Sequence, residues 1–181
     1  YYARDNIIVC IMINRDAELD WLLSHLTREE RQLLVLYGRR RVGKTTLVTT
    51  ALESLDVTGI YYLCDQRGPA QNAKQFAAQC ADSFDDVPPA VDGFVDAFRY
   101  LKNRVSDPCV IALDEFSYLV EADESLPSVF QTIVDDVLTD TQISLVLLGS
   151  SISMMEEGVL SYESPLYGRR TGQWELGPLR F

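Results

Sequence analysis

Short apolar runs alternate along this chain with stretches in which apolar residues recur every three or four positions. The short runs, rich in β-branched and aromatic residues, predict buried strands at 33–37, 60–64, 109–113, 143–148 and 173–176. The amphipathic stretches predict helices at 19–26, 44–55, 70–83, 94–101, 129–138 and 152–160. A further apolar run, at 7–13, precedes the first helix and is far too short to span a bilayer.

The alternation of strands and helices determines the expected fold class. It predicts right-handed crossovers and a parallel sheet that is covered by helices on both faces, which is an α/β fold. Ligands of such sheets bind at the carboxyl ends of the strands. Polar residues that directly follow a strand are therefore expected to meet at one edge.

Composition narrows the functional classes. With 181 residues, of which 47% are hydrophobic and 24% charged, the chain fits one globular domain at 1–181. It begins at Tyr1 rather than at methionine, so we expect a fragment of a longer protein. Its net charge of −11 repels phosphate backbones, which disfavours nucleic-acid binding by this segment.

The cysteines and the absence of sorting signals indicate a compartment. The sequence has no signal peptide and no run long enough for a membrane helix, so we expect a soluble protein with no membrane partner. Its four cysteines are widely spaced and form no CxxC pair. Buried, reduced thiols fit this pattern better than disulfides or a zinc site, which favours the cytoplasm.

Residues 38–45 read Gly-Arg-Arg-Arg-Val-Gly-Lys-Thr and match the phosphate-binding loop pattern G-x-x-x-x-G-K-[ST]. The glycines let main-chain N–H groups surround phosphate oxygens, and the following helix adds its positive N-terminus. Lys44 is expected to reach the β- and γ-phosphates of ATP, and the Thr45 hydroxyl to bind Mg²⁺. The three arginines 39–41 are expected to help recruit ATP. A glycine turn before a capped helix is the alternative, but a strand precedes this loop and a helix follows it.

Two carboxylates, Asp114 and Glu115, end the predicted strand at 109–113. Beside a phosphate-binding loop, the first carboxylate can hold the magnesium shell, and the second can orient and deprotonate the attacking water. The alternative is that both residues only cap the next turn. The loop at 38–45 favours the catalytic interpretation, known as a Walker B motif.

The strand at 143–148 is followed by Gly149, Ser150 and Ser151. Ser150 or Ser151 is expected to sense the γ-phosphate or the attacking water, but either residue can equally be the N-cap of the next helix. Arg169 and Arg170 offer a charge for the γ-phosphate, in cis or to a neighbouring copy, and Arg170 is our candidate. A solvated surface arginine is the alternative.

Together these segments resemble the archaeal-type ATPase family, P-loop ATPases of the STAND branch related to AAA+ proteins. The matching segments lie at 13–19, 37–47, 113–119, 149–155, 165–171 and 176–179. Many families share the phosphate-binding loop. The Gly-Ser-Ser at 149–151 and the Leu-Tyr-Gly-Arg-Arg-Thr at 166–171 are much more particular to this one.

The resemblance implies a three-layer P-loop NTPase fold with a five-stranded parallel sheet in the order 5-1-4-3-2. It implies that Asn14 and Arg15 lie near the base and ribose, that Thr45 and Asp114 serve magnesium, and that Glu115 is the general base. Lys44, Ser150 and Arg170 complete the expected catalytic set. The expected nucleotide contacts are Gly38, Arg39, Arg40, Arg41, Val42, Gly43, Lys44, Thr45, Thr46, Asn14 and Arg15. Family members continue into a helical lid and often a further domain, which this chain does not include.

Two functions remain open from the sequence. The first is magnesium-dependent ATP binding and hydrolysis that drives a conformational switch, in a DNA-associated or signalling process. The second is a non-catalytic module in which ATP orders a surface for a partner. A homo-oligomer or a partner protein that binds through the missing regions is expected in either case.

Overall fold

The computed structural model describes residues 15–178 and contains one five-stranded parallel sheet. The strands are β1 (Leu33–Tyr37), β2 (Thr58–Leu63), β3 (Cys109–Asp114), β4 (Ile143–Gly149) and β5 (Gly172–Glu175). They lie in the order β2-β3-β4-β1-β5, with every neighbouring pair parallel. The predicted order 5-1-4-3-2 is confirmed, and the carboxyl ends of β3, β4 and β1 are consecutive along one edge.

Seven α-helices connect the strands and cover the sheet within the described residues. They are α1 (Asp16–Leu26), α2 (Lys44–Ser54), α3 (Pro69–Ser83), α4 (Phe94–Lys102), α5 (Phe116–Ala122), α6 (Leu126–Thr132) and α7 (Ile152–Met155). Wider π-helical turns continue α6 over Ile133–Val137 and α7 over Glu156–Leu160. None of these helices is long and apolar enough to cross a membrane.

Alternation along the strands divides the core into two. In β1, Leu33 and Val35 face one side of the sheet, while Leu34 and Leu36 face the other, and all four are buried. The first side packs against α3 to α7 and the second against α1 and α2. Because both faces are covered, the central strands are continuously apolar, as the sequence pattern predicts.

The structure differs from the predicted elements after β3. Residues 116–122 form α5, which the sequence pattern did not indicate because a seven-residue segment shows too few periods of a helical repeat. The predicted helix at 129–138 begins earlier, at Leu126, and changes to π geometry at Ile133. The apolar run at 7–13 lies outside the described residues.

The described cysteines agree with the sequence interpretation. Cys64, Cys80 and Cys109 are free thiols that are buried in the core. Burial raises the pKa of Cys80 and of Cys109 to about 12. These thiols therefore stay protonated and unreactive at neutral pH.

Candidate nucleotide-binding site

The loop between β1 and α2 has the backbone of a phosphate cup. Gly38 and Gly43 have φ angles of 149° and 95°, and Arg41 also has a positive φ, at 65°. A Cβ atom on Gly38 would lie 2.2 Å from the carbonyl oxygen of Leu176, so the loop begins at a contact that only glycine allows. Gly43 caps α2, which directs the N-terminus of that helix at the cup.

Lys44 lies under this cup. Its ammonium group donates to the carbonyl oxygen of Gly38 at 2.8 Å and to that of Arg39 at 3.0 Å. Burial lowers the pKa of Lys44, nearby Glu115 and Asp114 raise it in part, and Arg40 lowers it further. A buried cation that is held only by main-chain oxygens is a strong attractor for phosphate.

Thr45 and Asp114 bring two oxygen ligands together. The Thr45 hydroxyl donates to Asp114 Oδ2 at 2.5 Å, which joins the start of α2 to the end of β3. Among residues 15–178 no cluster of three or more His, Cys, Asp or Glu side chains can hold a metal. A hydroxyl and one carboxylate beside a phosphate cup fit Mg²⁺, because this ion takes few protein ligands and completes its shell with water and substrate phosphates.

Asp114 is also held by a residue that the sequence pattern did not single out. The Tyr61 hydroxyl, on β2, donates to the same Oδ2 atom at 2.7 Å. Burial and the hydrogen bond to Asp114 raise the pKa of Tyr61, so the phenol remains protonated and acts as a donor. The Glu115 main-chain N–H occupies the other oxygen, Oδ1, at 2.8 Å.

Glu115 and Ser150 meet across two neighbouring strands. Ser150 Oγ donates to Glu115 Oε2 at 2.5 Å. Glu115 has a left-handed backbone with φ of 53°, which turns the chain sharply between β3 and α5. Ser151 stands at the N-cap position of α7 without a side-chain capping bond. Of the two serines, Ser150 is therefore the one that contacts the candidate base.

Arg170, the candidate from the sequence, and Arg40 of the phosphate-binding loop lie in different surroundings. Arg40 reaches across the cup to Tyr118 on α5, where it contacts the hydroxyl group and lies 5.8 Å from the ring centre. Arg170 donates to the carbonyl oxygen of Leu160 at 2.7 Å and stacks on Tyr167. Tyr118, like Tyr61, was absent from the predicted site.

Arg15 supports the loop from outside. Its guanidinium donates to the carbonyl oxygens of Val42 at 2.9 Å and Gly177 at 2.6 Å, and it pairs with Glu18. It therefore ties α1, the phosphate cup and the segment after β5 together. Asn14 lies outside the described residues, so its expected contact with the nucleotide stays a prediction, as does that of Arg15.

A cavity of about 460 Å³ collects most of the predicted set. Its lining is Arg40, Arg41, Gly43, Lys44, Thr45, Thr46, Asp114 and Glu115. Gly38, Arg39 and Val42 contribute main-chain oxygens to the loop rather than walls to the cavity. Arg170 is not part of the lining.

The fold and this site define a P-loop NTPase domain with three layers. A family profile described as an ATPase domain found predominantly in Archaea matches residues 12–181. The chain belongs to this family, and it is accordingly an ATP-binding ATPase domain in the general sense of that class.

Related sequences and solved structures agree with this assignment. An uncharacterised protein of Methanocaldococcus jannaschii is 37% identical over 171 residues, which are 94% of this chain and 37% of that protein. A shorter protein of the same organism, named as ATP-binding, is 36% identical over 56 residues, 31% of this chain and 95% of its own length.

Two solved structures share the fold. A Walker-type ATPase of Pyrococcus abyssi superposes with a TM-score of 0.64 at 22% identity, covering 91% of this chain and 53% of that one. The ORC1 protein of Aeropyrum pernix, solved in complex with DNA, gives 0.70 at 18% identity, covering 97% and 48%. The chain thus spans about half the length of these structures and 37% of its long relative.

Proposed function

We propose that this domain binds ATP with Mg²⁺ and hydrolyses it, and that the cycle drives a conformational switch. The observation that carries the proposal is the convergence of Lys44, Thr45, Asp114 and Glu115 around one cavity. Lys44 and Thr45 begin α2, Asp114 ends β3 and Glu115 directly follows it, and these are the kinds of group that bind the phosphates and the metal of MgATP.

Binding uses the cup and its cation. The main-chain N–H groups of residues 38–45 surround the β-phosphate, and Lys44 exchanges its carbonyl contacts for the β- and γ-phosphate oxygens. Thr45 and Asp114, which are joined by a hydrogen bond, would hold Mg²⁺ beside the phosphates. Mg²⁺ supplies charge that stabilises the leaving diphosphate.

Hydrolysis needs an oriented water on the far side of the γ-phosphate. Glu115 accepts a proton from this water while the water oxygen forms a bond to the γ-phosphorus and the bond to the β,γ-bridging oxygen breaks. The electron pair stays on ADP, and the proton passes from Glu115 to the released phosphate. Ser150 orients Glu115 through the bond that joins them at 2.5 Å.

An arginine beside the γ-phosphate would offset the charge that develops there. We assign this role to Arg40, because it lines the cavity while Arg170 does not. Its contact with Tyr118 holds it across the opening. In a homo-oligomer, Arg170 could instead act on the γ-phosphate that is bound to a neighbouring copy.

The setting of the switch follows from what the chain resembles. We propose the STAND branch related to AAA+ proteins, a cytoplasmic location that suits three buried free thiols, and a longer protein in which 1–181 is the core domain. A DNA-associated process is supported by the DNA complex of the ORC1 protein. The net charge of −11 argues that DNA contacts, where present, lie in other regions or partners.

A non-catalytic module is the second candidate, and the Glu115–Ser150 bond favours it. In this arrangement Ser150 already occupies Oε2 of the candidate base. If Glu115, held in this way, does not accept a proton from the water, the domain would act by ATP binding alone.

The Glu115→Gln variant distinguishes the two candidates. Hydrolysis predicts that the variant binds ATP like the parent but turns it over about 10²–10⁴-fold more slowly, the usual contribution of a general base. The measurement is phosphate release in the full-length protein, beside ATP affinity by calorimetry. Equal turnover in Glu115→Gln and the parent would contradict the general base, and negligible turnover in both would favour the module.

A further inference from the structure

The Asp114 carboxylate, which is proposed to serve magnesium, accepts several hydrogen bonds from the protein itself. Asp114 is 3% exposed and accepts three hydrogen bonds, from the Thr45 hydroxyl, the Tyr61 hydroxyl and the Glu115 main-chain N–H. Thr45 and Tyr61 share one oxygen, Oδ2. An ionised carboxylate offers about four lone-pair positions, so three of them are in use.

The Thr45 and Tyr61 hydroxyls differ in whether they keep their hydrogen bonds to Asp114 when MgATP binds. Thr45 would release Asp114, because in the proposed function its hydroxyl would bind Mg²⁺. Tyr61 lies on β2, outside the loop, and has no other role in the cavity. The hydrogen bond from Tyr61 to Oδ2 can therefore persist when Thr45 turns away. The position on Oδ2 that Thr45 occupied then becomes available to the magnesium site.

We propose that Tyr61 is a positioning residue for the magnesium site, a role that rests on the proposed function. It fixes the rotation of the Asp114 carboxylate, so that the oxygen released by Thr45 would be available to the magnesium site. Without the phenol, the carboxylate can turn toward other donors, and the site must be ordered each time metal binds. Outer contacts of this kind commonly contribute 10–100-fold to metal affinity.

The strand itself supplies the matched control. Tyr62 is adjacent in β2 but faces the opposite side of the sheet, where its hydroxyl donates to Asn72 Oδ1 at 3.1 Å. Phenylalanine at either position keeps the ring and removes one hydrogen-bonded hydroxyl. The two variants thus lose similar chemistry on opposite faces, and only one of them loses a bond to Asp114.

The experiment measures Mn²⁺ affinity in the ADP complex by electron paramagnetic resonance, with Mg²⁺ as competitor. In the full-length protein, Tyr61→Phe should weaken Mn²⁺ binding about tenfold, while ADP affinity in EDTA stays at the parental value and shows that the fold is intact. Tyr62→Phe should leave Mn²⁺ affinity unchanged.

Each other result is decisive. Tyr61→Phe with parental Mn²⁺ affinity, or an equal loss in Tyr62→Phe, would overturn the positioning role and leave Tyr61 a packing residue. If the parent itself bound no Mn²⁺ with ADP, the proposed function would fail, independently of Tyr61.

Discussion

The carboxyl edge and the amino edge of the sheet both collect polar side chains, but they use them differently. At the carboxyl edge, Lys44, Asp114 and Glu115 line a cavity of about 460 Å³. At the amino edge, a cavity of about 250 Å³ has Arg169, Asp135 and Thr171 in its lining. At the carboxyl edge, the charged side chains form hydrogen bonds to main-chain groups and neutral hydroxyls. At the amino edge, the charged side chains Arg169 and Asp135 form an ion pair with each other.

Hydrogen bonds at the amino edge complete the ends of strands. The Gln32 N–H donates to Ser144 Oγ at 2.9 Å, and the Leu33 N–H donates to Thr171 Oγ1 at 3.1 Å. Arg169 forms an ion pair with Asp135. These side chains satisfy main-chain donors and each other, so they stabilise the fold.

The two edges differ in whether their charged side chains stabilise the folded state. Burial lowers the pKa of Lys44, which means that the folded state disfavours its charge. Such a group opposes folding and favours binding of an anion. Amino-edge variants should therefore change unfolding without changing catalysis, and carboxyl-edge variants should do the reverse.

Lys44→Ala should have the largest effect. It removes charged hydrogen bonds to two phosphates, worth about 4 kcal/mol together, or roughly a thousandfold in Kd. The melting temperature without nucleotide should not fall, because a cation that opposes folding is gone. Calorimetric titration with ATP and a thermal melt measure both, and Lys74→Ala, on the exposed side of α3, is the control. If Lys44→Ala bound ATP within twofold of the parent's affinity, the carboxyl edge would not be the nucleotide site that we propose.

Arg40→Ala should slow turnover next. Loss of a charged hydrogen bond to the γ-phosphate costs about 2.8 kcal/mol, which is roughly a hundredfold in kcat. Arg170→Ala, tested beside it, should leave kcat near that of the parent. The opposite pattern in steady-state phosphate release would assign the catalytic charge to Arg170.

Ser144→Ala should act on stability alone. It leaves the buried Gln32 N–H without its acceptor, which costs about 1–3 kcal/mol in the free energy of unfolding. Urea denaturation measures this cost, while ATP turnover at 25 °C serves as the second reading. A clear loss of turnover in a folded Ser144→Ala protein would mean that the two edges are not independent.

Asp135→Asn should have the smallest effect. The pair with Arg169 lowers the pKa of Asp135, but the Asp135 side chain is 37% exposed, so we expect less than about 1 kcal/mol at pH 7. A lowered carboxyl pKa adds stability above the unfolded value near 3.9, and this is lost as pH falls below it. Parent and variant should thus converge in urea stability toward pH 3. A difference that grows on acidification would contradict the assignment.

Features of the fold and the candidate site could be predicted from the sequence where a short, local motif indicates them. Residues 38–45 and the pair Asp114 and Glu115 are short motifs, and their placement at strand ends follows from the order of the elements. The strand order itself came from the family resemblance, and it is confirmed.

Contacts that depend on register could not be predicted. Tyr61 reaches Asp114 because it pairs with Ala112, two residues earlier on β3, and alternation brings its side chain to the face of that carboxylate. The sequence contains two adjacent tyrosines and does not say which one faces Asp114. Arg15 and Gly177 are 162 positions apart, so no local pattern joins them.

The most direct test of the central claim is a structure of the Glu115→Gln variant with ATP and Mg²⁺. We expect the triphosphate within residues 38–45, its γ-phosphate beside the Lys44 ammonium, and the metal between Thr45 and Asp114. A nucleotide bound elsewhere, or a metal that approaches neither Thr45 nor Asp114, would contradict it.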